Sequence, residues 1–340
     1  MATVGVKALR RIQLGKESST TAGTAVASTV KWRGVGTIKD DLETVFPEES
    51  VGIMGGTDRS YIPKLEASLS MEATEATFEL LPYIFEAGIH LGTPAVDTGG
   101  TGYAYVYTLP TTGTTTPRTF TIEGGDNVAA EEMEYSIVKS FNLSGVPGEA
   151  LMVSADWVGR QVSTSTFTAT SIAATPTVEE ILTSKGTLYL DPSSVTAGTT
   201  QITESILGLD LSVETGLTPV YTADGSLYFT FVKNSGDAME ILLDVTFEHD
   251  SQSVAQKVFW RAGTARNLRL LFQGATLTTS GAAYIYKTLN IDLAGKWDNF
   301  DKIGEQNGND ILKGQFRARY NSTAALFGVF TVVNQSSILA

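Results

Sequence analysis

A chain of 340 residues, 42% hydrophobic and 18% charged, has the balance of a folded protein and is long enough for two domains. Its net charge of −13, shared by both halves, excludes a protein that wraps nucleic acid but suits a surface that nucleic acid passes without sticking. There are no cysteines, so neither disulfides nor thiolate metal sites carry the fold. The opening MATVGVKALRRIQLGK has no apolar signal-like run, and no stretch approaches a membrane span. The expectation is a soluble chain.

Taken in order, IQL at residues 12–14 is the first strand candidate, and TAGT follows at 21–24. TAGT recurs at 196–199, shortly after LYL at 188–190. LEASLSME (65–72) alternates apolar and polar residues, as ILLDVTFE (241–248) does further on, which marks half-buried strands. Each leads into a helical pattern, TFELLPYIFEAG ending at Gly88 and SVAQKVFWRAG ending at Gly263. Ser251 or Ser253 can cap the second helix, and each terminal glycine suits a left-handed C′ position. Pro82 implies a kink or a late start in the first.

Past the helices, RTFTIEGG (118–125) matches RLLFQG (269–274), and SFNLSG (140–145) matches NIDLAG (290–295). In LMVSADW, Leu151, Val153, Ala155 and Trp157 share one face. The chain thus reads as a tandem duplication: a first β domain over 1–165, a linker over 166–185 and a second β domain over 186–340. An inserted hairpin at about 93–117 is peculiar to the first. The expected fold class is mainly β, each copy a β-sandwich or partly closed barrel with one short flanking α-helix.

Signatures of chemistry are missing. Of the two histidines, His90 and His249, the second lies in FEHDS, where adjacent strand residues point to opposite faces and do not converge on an ion. GGTG at 99–102 lacks the Lys-Ser/Thr of a phosphate loop and reads as a hairpin tip. DNFDKIGEQNGND (298–310) misses the calcium-loop spacing. The expectation is no enzyme, no cofactor and no metal.

In order, KWRGVGTIKDDLETVFPEES, LEASLSMEATEATFELLPYIFEAG, PRTFTIEGGDN, YSIVKSFNLSGVPGEALMVSADWVGRQVS, KTLNIDLAGKWDNF and LKGQFRARYNSTAALFGVFTVVN cover most of the chain. This series resembles the tail tube (major tail) proteins of long-tailed bacteriophages, in a duplicated-domain form. The resemblance implies three chains per pseudo-sixfold ring, rings stacked into a tube, and double-stranded DNA passing through without specific binding. It also implies a place in the virion tail after assembly in the host cytoplasm, with tape-measure, tail-terminator and tail-tip proteins as partners. A long loop at the insertion reaches the next ring in such proteins. That makes Tyr103, Tyr105, Tyr107, Leu109 and Thr114 the candidates for inter-ring contact. The channel wall is expected to be acidic or neutral overall. A secreted adhesive or carbohydrate-binding β module and a β-rich hydrolase are the rival readings.

Overall fold

The computed structural model describes residues 4–168, 172, 177–234 and 239–339. Residues 169–171 and 173–176 of the expected linker lie outside the described residues. Strands make up 47% of the structure and two helices 8%, in large antiparallel sheets with no closed barrel among the described residues. The chain is of β-sandwich class.

The first half contributes β1 (Arg11–Lys16), β2 (Val30–Trp32), β3 (Gly36–Asp40), β4 (Ala67–Glu75) and α1 (Leu81–Gly88). It continues with β5 (Ala95–Val96), β6 (Tyr103–Thr108), β7 (Phe120–Gly125), β8 (Ala130–Gly145), β9 (Met152–Gly159) and β10 (Val162–Ser165). The second half opens with β11 (Gly186–Pro192), β12 (Gln201–Ile202), β13 (Ile206–Glu214), β14 (Leu217–Val220), β15 (Phe231–Asn234) and β16 (Glu240–Glu248). Then come α2 (Ser251–Arg261), β17 (Arg266–Thr276), β18 (Tyr286–Phe300), β19 (Gly304–Gln306), β20 (Asn309–Ala318) and β21 (Gly328–Asn334).

The pairing scheme of the first half recurs in the second. β1 lies between β2 and β7, as β11 lies between β12 and β17. β8 pairs with β7, β9 and β10, as β18 pairs with β17, β20 and β21. β4 joins β9 to β3, as β16 joins β20 to β13.

Long strands β8 and β18 each serve two sheets, and each changes sheet at a bulge. The ladder from β8 to β9 shifts between Val138 and Ser140, leaving Lys139 unopposed; that from β18 to β20 shifts between Trp297 and Asn299, leaving Asp298 unopposed. Lys139 therefore corresponds to Asp298. SFNLSG (140–145) has its structural counterpart in the stretch that begins at Asn299, and NIDLAG (290–295) has its own in the part of β8 that ends at Ser136. The match between these two motifs is a slide along one strand type.

Between the sheets lie Ile12, Leu14, Leu69, Met71, Phe120 and Trp157 in one half, and Leu188, Leu190, Leu243, Phe247, Phe272 and Trp297 in the other. The repeated TAGT has a physical cause. Glu17, at the end of β1, is buried and accepts a bond from the Gly23 N–H at 2.7 Å; Asp191, in β11, is buried and accepts from the Gly198 N–H at 2.8 Å. Both glycines are left-handed, with φ of +80° and +104°, which lets each loop wrap a buried carboxylate.

α1 starts late, at Leu81, with Pro82 in its first turn, where proline costs no hydrogen bond. α2 is capped by Asp250 rather than by a serine. Its carboxylate accepts the Ser253 N–H at 2.8 Å, and the Ser253 hydroxyl accepts the Asp250 N–H at 3.0 Å. Gly263 is left-handed, with φ of +60°. Gly88 is not: it is the last residue of α1, and a Cβ there would stand 3.2 Å from Thr215 and 3.3 Å from Val138.

The insertion in the first half does anchor on another body, and that body is the second half. β6 runs antiparallel to β21, from Tyr103 opposite Asn334 to Thr108 opposite Val329. Tyr105, Tyr107 and Leu109 are buried there, Tyr107 edge-on to Phe85 with centroids 5.6 Å apart, and Tyr105 donating to the Ser336 carbonyl at 2.7 Å. These three are contacts within the chain and are not free to meet a neighbouring ring, because alternate β6 side chains pack into the core where α1 meets the second half. Tyr103 is half-buried and Thr114 exposed. Deleting residues 98–116 should therefore lower stability by at least about 5 kcal/mol in urea unfolding, since several large buried side chains are lost together. An unchanged transition midpoint would contradict this packing.

Glu86, buried in α1, has its carboxyl pushed up to about 7 by burial, against the pull of Arg118 and Lys16. Arg118 Nε stands 3.7 Å from it. The native state thus holds this proton more tightly than an unfolded chain, where the ordinary value is 4.5. The resulting stability is complete below about pH 4.5 and drains away as pH rises to about 7. Glu86→Gln should flatten the decline of melting temperature across that window, a difference that thermal scans of the two proteins will show.

Candidate functional site

The joint between the halves is a backbone ladder. β13 pairs with the second part of β8, from Leu209 opposite Gly145 to Glu214 opposite Ser140. That ladder fuses two four-stranded sheets into one of eight, in the order β3, β4, β9, β8, β13, β16, β20, β18. We call it the bridging sheet. Its two ends are open among the described residues: β3 is paired only by β4, and the last residues of β18 only by β20.

Those open ends correspond to the two strands that meet at the joint. Across the first half, Val138 opposes Trp157, Trp157 opposes Leu69, and Leu69 opposes Ile38. Across the second, Trp297 opposes Phe316, Phe316 opposes Leu243, and Leu243 opposes Leu211. Ile38 therefore holds on β3 the place that Leu211 holds on β13. Counting from the bulges, Phe300 and Asp301 hold the places of Phe141 and Asn142. At the joint Ser212 opposes Asn142. The corresponding residues at the open ends are Lys39 and Asp301, which carry opposite charges.

The helices show the same asymmetry. α1 is buried along its whole length, with Phe85 packed on Phe330 of the second half at 5.2 Å between centroids. α2, by contrast, leaves Val254 43% and Val258 54% exposed.

Side chains on the solvent side of the bridging sheet are polar. Asp156, Asp210, Glu214 and Asp244 are exposed there, with Lys139 and Lys313 among them. Arg317 is neutralised by two carboxylates, Glu240 and Asp298, the latter at 2.9 Å. Burial pushes the Glu214 carboxyl up, Lys139 pulls it back, and the Asp156 and Glu240 carboxylates push it up again. The result is an acidic face on which Arg317 is already held by carboxylates.

DNFDKIGEQNGND folds as the end of β18, β19 and the start of β20. Its turn is at Asn307 and Gly308, both left-handed with φ of +54° and +82°, as a two-residue hairpin requires. Among the described residues no group of three or more His, Cys, Asp or Glu is placed to hold a metal, and no helix is long and apolar enough to cross a membrane. GGTG is the turn between β5 and β6, closed by the Asp97 N–H donating to the Gly102 carbonyl at 2.8 Å.

No protein-family model matches the chain, and no curated protein matches it significantly.

The electrostatics of this face can be tested directly. Replacing Asp210 and Asp244 with lysine should make the protein bind duplex DNA in gel-shift assays, with an affinity that falls steeply as salt rises. The unmodified chain should show no shift under the same conditions.

Proposed function

We propose that this chain is a tail-tube-type structural subunit, three copies of which close head to tail into a ring that stacks into a conduit for double-stranded DNA. The observation that carries this reading is the bridging sheet. Its two open ends correspond to the strands that already meet inside the chain, so repeating the internal joint between chains uses up both open ends of that sheet. An open sheet edge is a template for uncontrolled pairing, and closure into a ring removes it. A head-to-tail contact closes when its rotation divides the circle; six like halves, supplied by three chains, is the solution that the resemblance implies.

The polar face of the bridging sheet then lines the channel, and its acidic character lets DNA slide without retention. The outer layer, with β1, β7, β11, β17 and the two helices, forms the body of the wall. The site of action is the virion tail. The chain works by assembly rather than by catalysis.

Electron microscopy of the purified protein should show rings or hollow tubes. A sharper test uses the register at the open ends and the absence of native cysteines. In Lys39→Cys/Asp301→Cys the two thiols should face each other between neighbouring chains, at the Cα spacing of an antiparallel pair, which a disulfide can span. Mild oxidation should give a ladder of covalent dimers and trimers that ends at three chains. Failure to cross-link, or a ladder that continues past three, would overturn the ring.

A further inference from the structure

Each half carries a long connection just after the strand that meets its neighbour, β3 to β4 in the first and β13 to β16 in the second. The second connection clasps the first half. Leu217 is buried with Ile137 and Val158, and Phe229 is buried edge-on to Tyr135 with centroids 5.1 Å apart. Arg160 fastens the clasp: its Nε donates to the Phe229 carbonyl at 2.9 Å and its Nη2 to the Thr230 carbonyl at 2.7 Å.

The first connection, over residues 41–66, is tied to the second only at its end among the described residues. There the Leu65 N–H donates to the Leu227 carbonyl at 2.9 Å and the Tyr221 hydroxyl donates to Glu66 at 2.8 Å. Ahead of these, its large apolar side chains Phe46, Ile53 and Met54 are 68%, 64% and 107% exposed. Asp40, Glu43 and Glu48 are exposed and make no ion pair among the described residues.

A counterpart of the Arg160 site exists on the second half and stands empty-handed. Arg160 follows the end of β9, and its N–H donates to the Glu134 carbonyl at 3.0 Å; Arg319 follows the end of β20, and its N–H donates to the Ala294 carbonyl at 2.7 Å. Arg319 is exposed, and its guanidinium bonds the Ala318 carbonyl at 3.2 Å and no carboxylate among the described residues. The apolar pair Ile137 and Val158 is replaced on this side by Lys296 and Arg317, and Lys296 is also exposed and unpaired among the described residues. An acidic arm and a basic seat thus stand at the positions related by the internal joint.

We propose that residues 41–66 of one chain clasp Arg319 and Lys296 of the next chain in the ring, with Glu43 and Glu48 supplying the countercharge. The clasp rests on the head-to-tail reading above and adds to it a salt-sensitive lock between chains, where the clasp inside the chain is apolar. Charged contacts at a hydrated interface weaken as ionic strength rises, whereas the burial of Leu217 and Phe229 does not depend on screening.

The test is sedimentation of the full-length chain across protein concentration at low and high salt, for the native protein, Arg319→Ala/Lys296→Ala, Glu43→Gln/Glu48→Gln and the combined variant. At low salt each double variant should raise the concentration needed for half-assembly by at least about fivefold. The combined variant should fall well short of the product of the two effects, because both remove one contact. High salt should erase the differences, and thermal unfolding of the unassembled chains should be unchanged. Rings that form equally well in all four proteins, or effects that multiply fully, overturn the clasp while leaving the ring intact. A native chain that forms no closed ring at any concentration overturns the ring, and the clasp with it.

Discussion

The structure depends on one backbone ladder, the pairing of β13 with the far half of β8. β8 can accept it only because the strand changes sheets at Lys139. Its first part is held between β7 and β10, and its second part by β9 on one edge, which leaves the other edge for β13. The bulge supplies a further anchor, since the Lys139 carbonyl accepts both the N–H of Thr215 at 3.0 Å and its hydroxyl at 2.8 Å. Extra twist at a bulge is what lets one strand leave a sheet and enter another without breaking its own hydrogen bonding. Once that ladder exists, the two halves cannot hinge freely, and among the described residues the bridging sheet is left with one open edge on β3 and one on the end of β18.

Much of this was legible in the order of the residues. Alternation located the buried faces of β4, β9 and β16, because a period of two leaves no ambiguity about which side chains share a face. TAGT was legible as a repeat, although its cause was not. The carboxylates that it wraps, Glu17 and Asp191, differ in type and sit at slightly different distances from their loops. The late start of α1 was legible from Pro82. The cap of α2 was misread by one residue type, since Asp250 and Ser253 act as a reciprocal pair rather than singly.

What stayed hidden was nonlocal. SFNLSG and NIDLAG look alike because both are alternating strand segments that end in a small residue and glycine, and a strand can slide by whole pleats without changing that pattern. Only the bulges fix the true correspondence, and a bulge leaves no composition signal at Lys139 or Asp298. The destination of β6 was equally invisible. Its tyrosines announce a buried contact, but nothing near them in the chain names β21, more than 200 residues away, as the partner. The open ends of the bridging sheet are a property of the whole topology, so no local window contains them.

The two joints that this topology allows differ in chemistry, and the difference follows from how each must form. The joint inside the chain is made once, during folding, between segments already tethered together. It can rely on apolar burial, with Leu217 on Ile137 and Val158, and on the extra strand β6, which the second half never has to return. A joint between chains must form from separate molecules whose open edges would otherwise be hazards before assembly. Charged residues blunt such edges. β3 ends in Lys39 and Asp40, the free part of β18 runs into Asp301 and Lys302, and the Arg319 seat is polar where its counterpart is greasy. Each of these charges costs little while hydrated; Lys39 is held by Asp41 in the single chain, and on the head-to-tail reading proposed above each would meet an opposite partner on a second chain in register. On the proposed reading, a chain that kept the apolar version on both sides would gain a stronger ring at the cost of an unassembled subunit prone to pairing out of register. On that reading, the difference between the halves is part of how the molecule would control where its edges close.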